Sequence, residues 1–276
     1  MNQPMHQPNI TFIGAGNMTT AIIAGLIGSG YSKSKITASN PSNEKLEMLA
    51  TKYGINITSS NSEAIAQSDI IILGVKPGIV PIICGEISES IAEQMVISVA
   101  AGVTIETINN ALSNDNLVIR AMPNTPCLVG KGAIGLYTAS ELTIQRREFI
   151  NGLFDSLGQT VWVKTEHQIN IVTALSGSGP AYYFYLTEAL IKAGIELGLE
   201  PEVSSMLVNQ TAQGSVAMLN NAEQLSAAAL RQAVTSPKGT TEAATHVFDQ
   251  HELMQIIEKA VSAATERGVE MAQLNK

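Results

Sequence analysis

The chain has 276 residues, 45% of them apolar and 14% charged, and its 16 basic and 24 acidic side chains leave a formal charge of −8. This composition carries enough apolar surface for a packed core and excludes a disordered chain; at roughly 100–200 residues per domain the length predicts two packed units. An acidic chain with 1 Trp, 6 Tyr and 5 Phe offers neither counterion-releasing charge nor stacking platforms, which argues against a nucleic-acid partner.

Residues 1–8 are polar and proline-broken, unlike the basic end and apolar run of a secretory leader. No stretch approaches the about 18 apolar residues of a membrane span, so a cytoplasmic protein without a membrane partner is expected. Short apolar runs at 10–13, 36–39, 69–75, 95–99, 117–121, 134–138 and 160–163 predict strands. Several are apolar throughout, as strands covered on both faces must be. Helix-patterned stretches at 17–29, 43–53, 62–67, 77–92, 105–112 and 141–157 alternate with them. Right-handed crossovers would join these elements into a parallel sheet sandwiched by helices, an α/β fold. After about residue 165 the strand signals stop. Leu186, Ala189, Leu190, Ala193 and Leu197 recur at helical spacing, and further helices are predicted at 201–219, 226–234, 240–248 and 253–273. Domains are therefore expected at 1–165 and 166–276. The apolar faces of the helical half are wider than one small bundle covers, so a homo-oligomer is expected. Cys84 and Cys127 are too few for a disulfide scaffold or a thiolate cage; reduced core thiols and no metal site are expected.

The sharpest local signal is Ile10-Thr-Phe-Ile-Gly14-Ala-Gly16-Asn-Met-Thr19-Thr-Ala21, a predicted strand entering a helix through a glycine turn. Gly14 permits the tight turn. Gly16 lets a pyrophosphate approach the helix amides, which carry positive partial charge. With Ala15, Asn17 and Met18 between and beyond them, these residues are the candidate dinucleotide-phosphate site; a purely structural turn is the competing reading. Thr19 stands where the fingerprint normally takes Gly or Ala for helix-on-strand packing. At the end of the second strand stand Ser39, Asn40, Pro41 and Ser42, with Glu44 inside the next helix and Lys45 beside it. A carboxylate at the strand end would grip a ribose hydroxyl and repel a 2′-phosphate, so its absence favours NADPH over NADH. A plain capped turn would also account for Ser and Asn here.

Three further segments act together: Val75-Lys76-Pro77-Gly78, Arg120-Ala-Met-Pro-Asn124-Thr-Pro126, and Leu175-Ser-Gly-Ser-Gly179-Pro-Ala-Tyr with Thr235-Ser236-Pro-Lys-Gly239-Thr-Thr241. In this order and spacing the chain resembles the pyrroline-5-carboxylate reductases, over nearly its whole length. Two departures stand out, Thr19 in the glycine loop and Lys238 where glycine is usual. The resemblance implies an N-terminal Rossmann-type domain and an all-helical C-terminal dimerisation domain. It also implies NAD(P)H-dependent reduction of L-1-pyrroline-5-carboxylate to L-proline, by a homodimer or a decamer of dimers.

Reducing a cyclic imine needs a hydride donor over one face of C=N, a proton on nitrogen and a grip on the carboxylate. An imine bound as the iminium is already electrophilic, so positioning and charge complementarity suffice. His6, His167, His246 and His251 fall outside the motifs and are read as surface or structural. Ser236, Lys238, Gly239, Thr240 and Thr241 would grip the carboxylate through free amides ahead of a helix, each charge-assisted bond contributing about 1.5–3 kcal/mol. Thr241 resembles the threonine whose hydroxyl meets the ring nitrogen and is the catalytic candidate; a plain helix cap is the alternative. Val75, Lys76 and Pro77 lie at a strand end beside the nucleotide in the family reading, although Lys76 also suits a solvated turn. Ala100, Ala101, Gly102, Met122, Pro123 and Asn124 follow later strands on the same edge and would wall the nicotinamide, where Asn124 can bond the cofactor; a merely structural Pro-Asn-Thr-Pro loop is the alternative. Ser176 lies either near the substrate or in a packing turn.

A β-hydroxyacid dehydrogenase would share this plan, but Tyr183 stands where such enzymes carry a catalytic lysine, and Lys192 comes more than two turns later. A non-catalytic NADPH sensor would have no reason to keep the Ser236–Thr241 segment. The early glycine turn and the late carboxylate loop are thus expected to serve one cleft.

Overall fold

The computed structural model describes residues 7–221 and 225–275. Contacts divide it into two units, one running to Ser178 and taking back the chain from Ala263, the other Gly179–Ser262. The expected division at 165/166 falls inside the first unit, because the helix that follows it packs on that unit's own sheet.

The first unit is built on eight strands: β1 (Ile10–Ile13), β2 (Ile36–Ser39), β3 (Asn56–Thr58), β4 (Ile70–Leu73), β5 (Met95–Ser98), β6 (Val118–Met122), β7 (Gly132–Tyr137) and β8 (Gly158–Trp162). They lie in the order β3-β2-β1-β4-β5-β6-β7-β8. Helices α1 (Asn17–Gly28), α2 (Asn43–Tyr53), α3 (Asn61–Ile65), α4 (Val80–Ile87), α5 (Ile105–Leu112), α6 (Ile144–Gly152) and α7 (Glu166–Val172) connect and follow them. Consecutive strand residues serve opposite faces. Phe12, Ile72, Ile97 and Ile119 join one core cluster with Ile22, Leu26 and Phe154. Ile13, Ile71, Val96 and Val118 join a second with Val80, Cys84 and Ile108. Continuous apolar runs thus become doubly covered strands, the α/β expectation. Both cysteines are free and buried. Burial pushes the Cys84 thiol up to about 12 and the Cys127 thiol in the same direction, so both stay protonated.

Strands β1 to β6 pair in parallel, but β7 runs antiparallel to β6, correcting the expectation of a wholly parallel sheet. A parallel return needs a crossover of about a dozen residues or more, and the chain between Met122 and Gly132 holds only a short 3-10 turn, Thr125–Val129. Strand β8 then pairs in parallel with β7. β3 escaped the sequence reading because Asn56-Ile-Thr is short, exposed and at the sheet edge. The sheet order reverses between β1 and β4, which opens a crevice at their carboxyl ends.

The second unit holds α8 (Gly179–Glu196), α9 (Pro201–Asn221), α10 (Ala227–Ala233), α11 (Thr240–Gln250) and the first part of α12 (Leu253–Leu274), whose last part belongs to the first unit. α8 and α9 pack on each other and are tied by the Ser204 hydroxyl, which donates to the Ile191 carbonyl at 2.8 Å. Most of their apolar side chains, including Tyr183, Phe184, Tyr185, Leu190, Met206 and Leu207, stay exposed. A monomer rarely leaves so much apolar surface open. No helix among the described residues is long and apolar enough to cross a membrane.

Candidate functional site

The glycine turn sits at the sheet's reversal point. Gly14 holds φ at 103°, donates its N–H to the Ser39 carbonyl at 2.8 Å, and would place any Cβ 2.7 Å from the Gly74 oxygen. Glycine is required there by both conformation and space. Gly16 is the N-cap of α1, with an ordinary φ of −83°, no side-chain cap and no acidic residue in the first turn. A Cβ on it would meet only Gly74 O, at 3.8 Å, so its open side faces outward from the helix N-terminus. These uncapped amides and this open approach fit a dinucleotide diphosphate. Thr19 is fully buried, its hydroxyl without a partner among the described residues. It fits because residue 74 is glycine; a Cβ there would collide with the Thr19 oxygen. Helix and strand approach closely with the small residue moved from the helix to the facing strand.

At the end of β2, Asn40 Oδ1 accepts the Ala15 N–H at 3.3 Å and so shapes the glycine turn. Ser39 is fully buried and its hydroxyl donates to Asn61 Oδ1 at 2.7 Å. Of the neutral donors at this strand end, Ser39 thus spends its hydroxyl proton inside the protein, while its carbonyl holds the Gly14 N–H of the glycine turn. Pro41, Glu44 and Lys45 are exposed around this strand end, while Ser42 is half-buried.

The same sheet edge carries the later loops. After β4, Val75 and Lys76 lead into the 3-10 turn Pro77–Ile79, closed by the Ile79 N–H on the Lys76 carbonyl at 2.9 Å, with the Lys76 side chain exposed. After β5, Ala100 donates its N–H to Ser98 Oγ at 3.3 Å, Ala101 is half-buried, and Gly102 turns at φ 66°. After β6, Met122 and Pro123 lead to Asn124, whose Nδ2 donates to the Ser176 carbonyl at 2.9 Å and whose Oδ1 accepts the Ala133 N–H at 3.0 Å. Asn124 therefore brackets two loops with both ends of its amide, correcting the expectation of a side chain turned to the cofactor.

The Leu175-Ser-Gly-Ser-Gly segment continues α7 as a π-helical turn, Thr173–Gly177, closed by the Ser178 N–H on the Thr173 carbonyl at 2.8 Å. Its extra residue per turn sets Gly177 beside the end of the Met122 side chain. Ser176 commits its hydroxyl proton to the Val172 carbonyl at 2.9 Å, leaving its oxygen as an acceptor.

An ion pair not foreseen from sequence supports this edge. Arg120 is 3% exposed and its NH1 donates to Glu166 Oε1 at 2.9 Å. The same oxygen accepts the Ile105 N–H at 2.8 Å, so one carboxylate fixes β6 and the starts of α5 and α7. Burial lowers the Arg120 pKa, and the bond to Glu166 opposes that shift. A basic residue inside an apolar strand signals a buried partner, but nothing local singles out Glu166.

In the second unit, Ser236 accepts the Gly239 N–H on its carbonyl at 3.0 Å, forming a turn around Pro237 and Lys238 that ends at the N-terminus of α11. Gly239 is the N-cap, without a side-chain cap, and the hydroxyls of Ser236, Thr240 and Thr241 make no hydrogen bond among the described residues. Lys238 adopts φ 61°, a left-handed conformation costing a non-glycine residue roughly 1–2 kcal/mol. Its N–H donates to Glu242 Oε2 at 2.7 Å, which fastens the turn to the helix. Its side chain is exposed. His167, His246 and His251 are exposed and His6 lies outside the described residues.

Two family models match this chain. A model for NADP oxidoreductase, coenzyme F420-dependent, covers residues 9–102, and one for pyrroline-5-carboxylate reductase dimerisation covers 166–271. The pyrroline-5-carboxylate reductase of Pseudomonas aeruginosa is 40% identical over 270 residues, 98% of each chain. This chain belongs to the pyrroline-5-carboxylate reductase family. Among solved pyrroline-5-carboxylate reductases, that of Coxiella burnetii superposes with a TM-score of 0.91 at 39% identity, covering 97% of this chain and 99% of the other. That of Plasmodium falciparum, solved with NADP bound, gives 0.85 at 30% identity over 98% and 100%. The dimerisation region makes the chain an oligomer-former, and α8 and α9, which leave apolar side chains exposed, lie within it.

Proposed function

We propose that this chain is a pyrroline-5-carboxylate reductase: NADPH, or less effectively NADH, supplies the hydride that reduces the C=N bond of L-1-pyrroline-5-carboxylate to L-proline, closing proline biosynthesis. The observation that carries the reading is family membership over nearly the whole chain, joined to an uncapped α1 N-terminus fitted to a diphosphate.

In this reading Gly14, Ala15, Gly16, Asn17 and Met18 seat the diphosphate with backbone amides. Asn40 keeps the neutral strand end in shape for the ribose phosphate, with Lys45 free to approach it. Val75, Lys76, Pro77, Ala100, Ala101, Gly102, Met122 and Pro123 wall the nicotinamide, Asn124 holds that wall from behind, and Ser39 steadies the ribose end through Asn61. The first amides of α11 and the hydroxyls of Ser236 and Thr240 bind the carboxylate, with the Lys238 ammonium balancing the nearby Glu242. Thr241 holds the ring nitrogen through its hydroxyl and orients the imine for attack; the half-buried Ser176 oxygen offers an acceptor to the ring. Residues 1–165 thus serve the cofactor and 166–276 the substrate and assembly. The assembly is a homodimer or a decamer of dimers. The partner is a small-molecule substrate, neither nucleic acid nor membrane, and the location is cytoplasmic, in keeping with a formal charge of −8.

The test is the loss of NADPH absorbance on adding pyrroline-5-carboxylate. Thr241→Ala should lower kcat about 10–100-fold, the lower part of the range for a positioned proton-handling group, with NADPH affinity unchanged. An equal loss of NADPH binding would place Thr241 elsewhere in the site. In the same assay NADPH should exceed NADH in kcat/KM. The opposite order would show that a group other than the β2 end chooses the cofactor.

A further inference from the structure

The last turn of the chain reaches back to the cofactor edge of the sheet. Asn275 Nδ2 donates to the Gly102 carbonyl at 2.8 Å, across 173 residues of sequence. One turn earlier, Met271 is in backbone-level contact with the same loop: a Cβ on Gly102 would come 2.7 Å from Met271 Cβ. Gly102 holds φ 66°, so any other residue would be strained there as well as crowded. The other end of the Asn275 amide lies near the neighbouring loop, Oδ1 being 3.8 Å from where a Cβ on Gly78 would stand. One side chain thus meets the loops after β4 and β5, adjacent strands beside the reversal point.

We propose that Asn275 is a positioning residue for the cofactor, holding the Ala100–Gly102 loop against the Pro77–Gly78 turn so that the nicotinamide wall is preformed. The inference rests on the reading that these loops line the cofactor. Without this bond the Gly102 carbonyl is less constrained, because glycine has more accessible backbone conformations than any other residue. A donor held just past the end of α12, where the Asn275 N–H bonds the Met271 carbonyl at 3.2 Å, selects one of them. Preorganisation of this kind appears in cofactor affinity, since the free enzyme no longer has to order the loop on binding. The half-buried amide of Asn275 can act in this way without touching substrate.

The experiment compares Asn275→Ala and Asn275→Gln with the parent enzyme by steady-state kinetics, NADPH titration followed by its fluorescence, and thermal melting. Asn275→Ala is expected to raise the KM and Kd for NADPH about 3–10-fold, the scale of one lost neutral hydrogen bond, with the imine KM within twofold and the melting temperature little changed. Asn275→Gln, which keeps the donor on a longer arm, should recover part of the loss. Unchanged NADPH affinity in Asn275→Ala, or a parallel rise in both KM values with a lower melting temperature, would overturn the proposal. If the parent enzyme itself fails to oxidise NADPH with pyrroline-5-carboxylate, the functional reading fails instead, while NADPH titration of the variants still decides the role of Asn275.

Discussion

Gly14→Ala should abolish NADPH binding and destabilise the protein together. Its φ of 103° lies outside the range of L-residues, and the added Cβ would stand 2.7 Å from Gly74 O, 2.8 Å from Gly74 C and 2.9 Å from Val75 Cγ1. These are backbone and branched side-chain atoms on a central strand end, so the ends of β1 and β4 must part. Adding about 1–3 kcal/mol of backbone strain to an overpacking cost of similar size gives a destabilisation of about 2–5 kcal/mol. The same movement would misalign the uncapped α1 amides proposed to seat the diphosphate, and a displacement of about 1 Å is enough for a 100-fold loss in a positioned site. Gly16→Ala supplies the contrast. At φ −83° with only one atom as near as 3.8 Å, its Cβ fits the protein but intrudes on the anion seat. Melting curves and NADPH titrations should therefore separate the two: Gly14→Ala loses both stability and binding, Gly16→Ala binding alone. Wild-type stability in Gly14→Ala would refute the close approach of β1 and β4 ends.

The second large effect concerns the buried ion pair. Glu166→Ala leaves Arg120, 3% exposed, without its carboxylate, and leaves the Ile105 N–H without its acceptor. Stranding one charge of a buried pair costs about 3–5 kcal/mol, and the 29% exposure of Glu166 places this case at the lower end. At about 2–4 °C per kcal/mol for domains of this size, the melting temperature should fall by about 6–12 °C. Combining it with Arg120→Met should restore much of that loss, because the stranded charge is then removed altogether. A single-variant shift below about 2 °C would show that solvent already serves Arg120, since exposed pairs contribute only about 0–1 kcal/mol.

What could be read directly from the residues was short-range. Alternation of apolar runs and helical stretches located every strand of the sheet except the short edge strand β3, and the helices after Ser178, because burial on two faces or on one stripe writes its own period into neighbouring residues. The glycine turn was legible because its conformational demand falls on Gly14 itself. The segment from Ser236 to Thr241 was singled out by its resemblance to a family motif, and it forms the turn that opens α11.

Folding alone decided the rest, since it rests on partners far apart in the chain. Asn124 and Ser39 look like ligand donors in sequence, yet each finds an internal partner, at Ser176 and Asn61, that no spacing rule connects to it. The reversal of β7 followed from a crossover too short to wrap, and Thr19 was accommodated by a glycine on another strand. Glu166 and Asn275 reach their partners across 46 and 173 residues. Local preference acts within a turn or a strand. Which distant groups satisfy one another is selected only when the sheet and its covering helices close, because a buried polar group must then find a partner or pay its lost hydration.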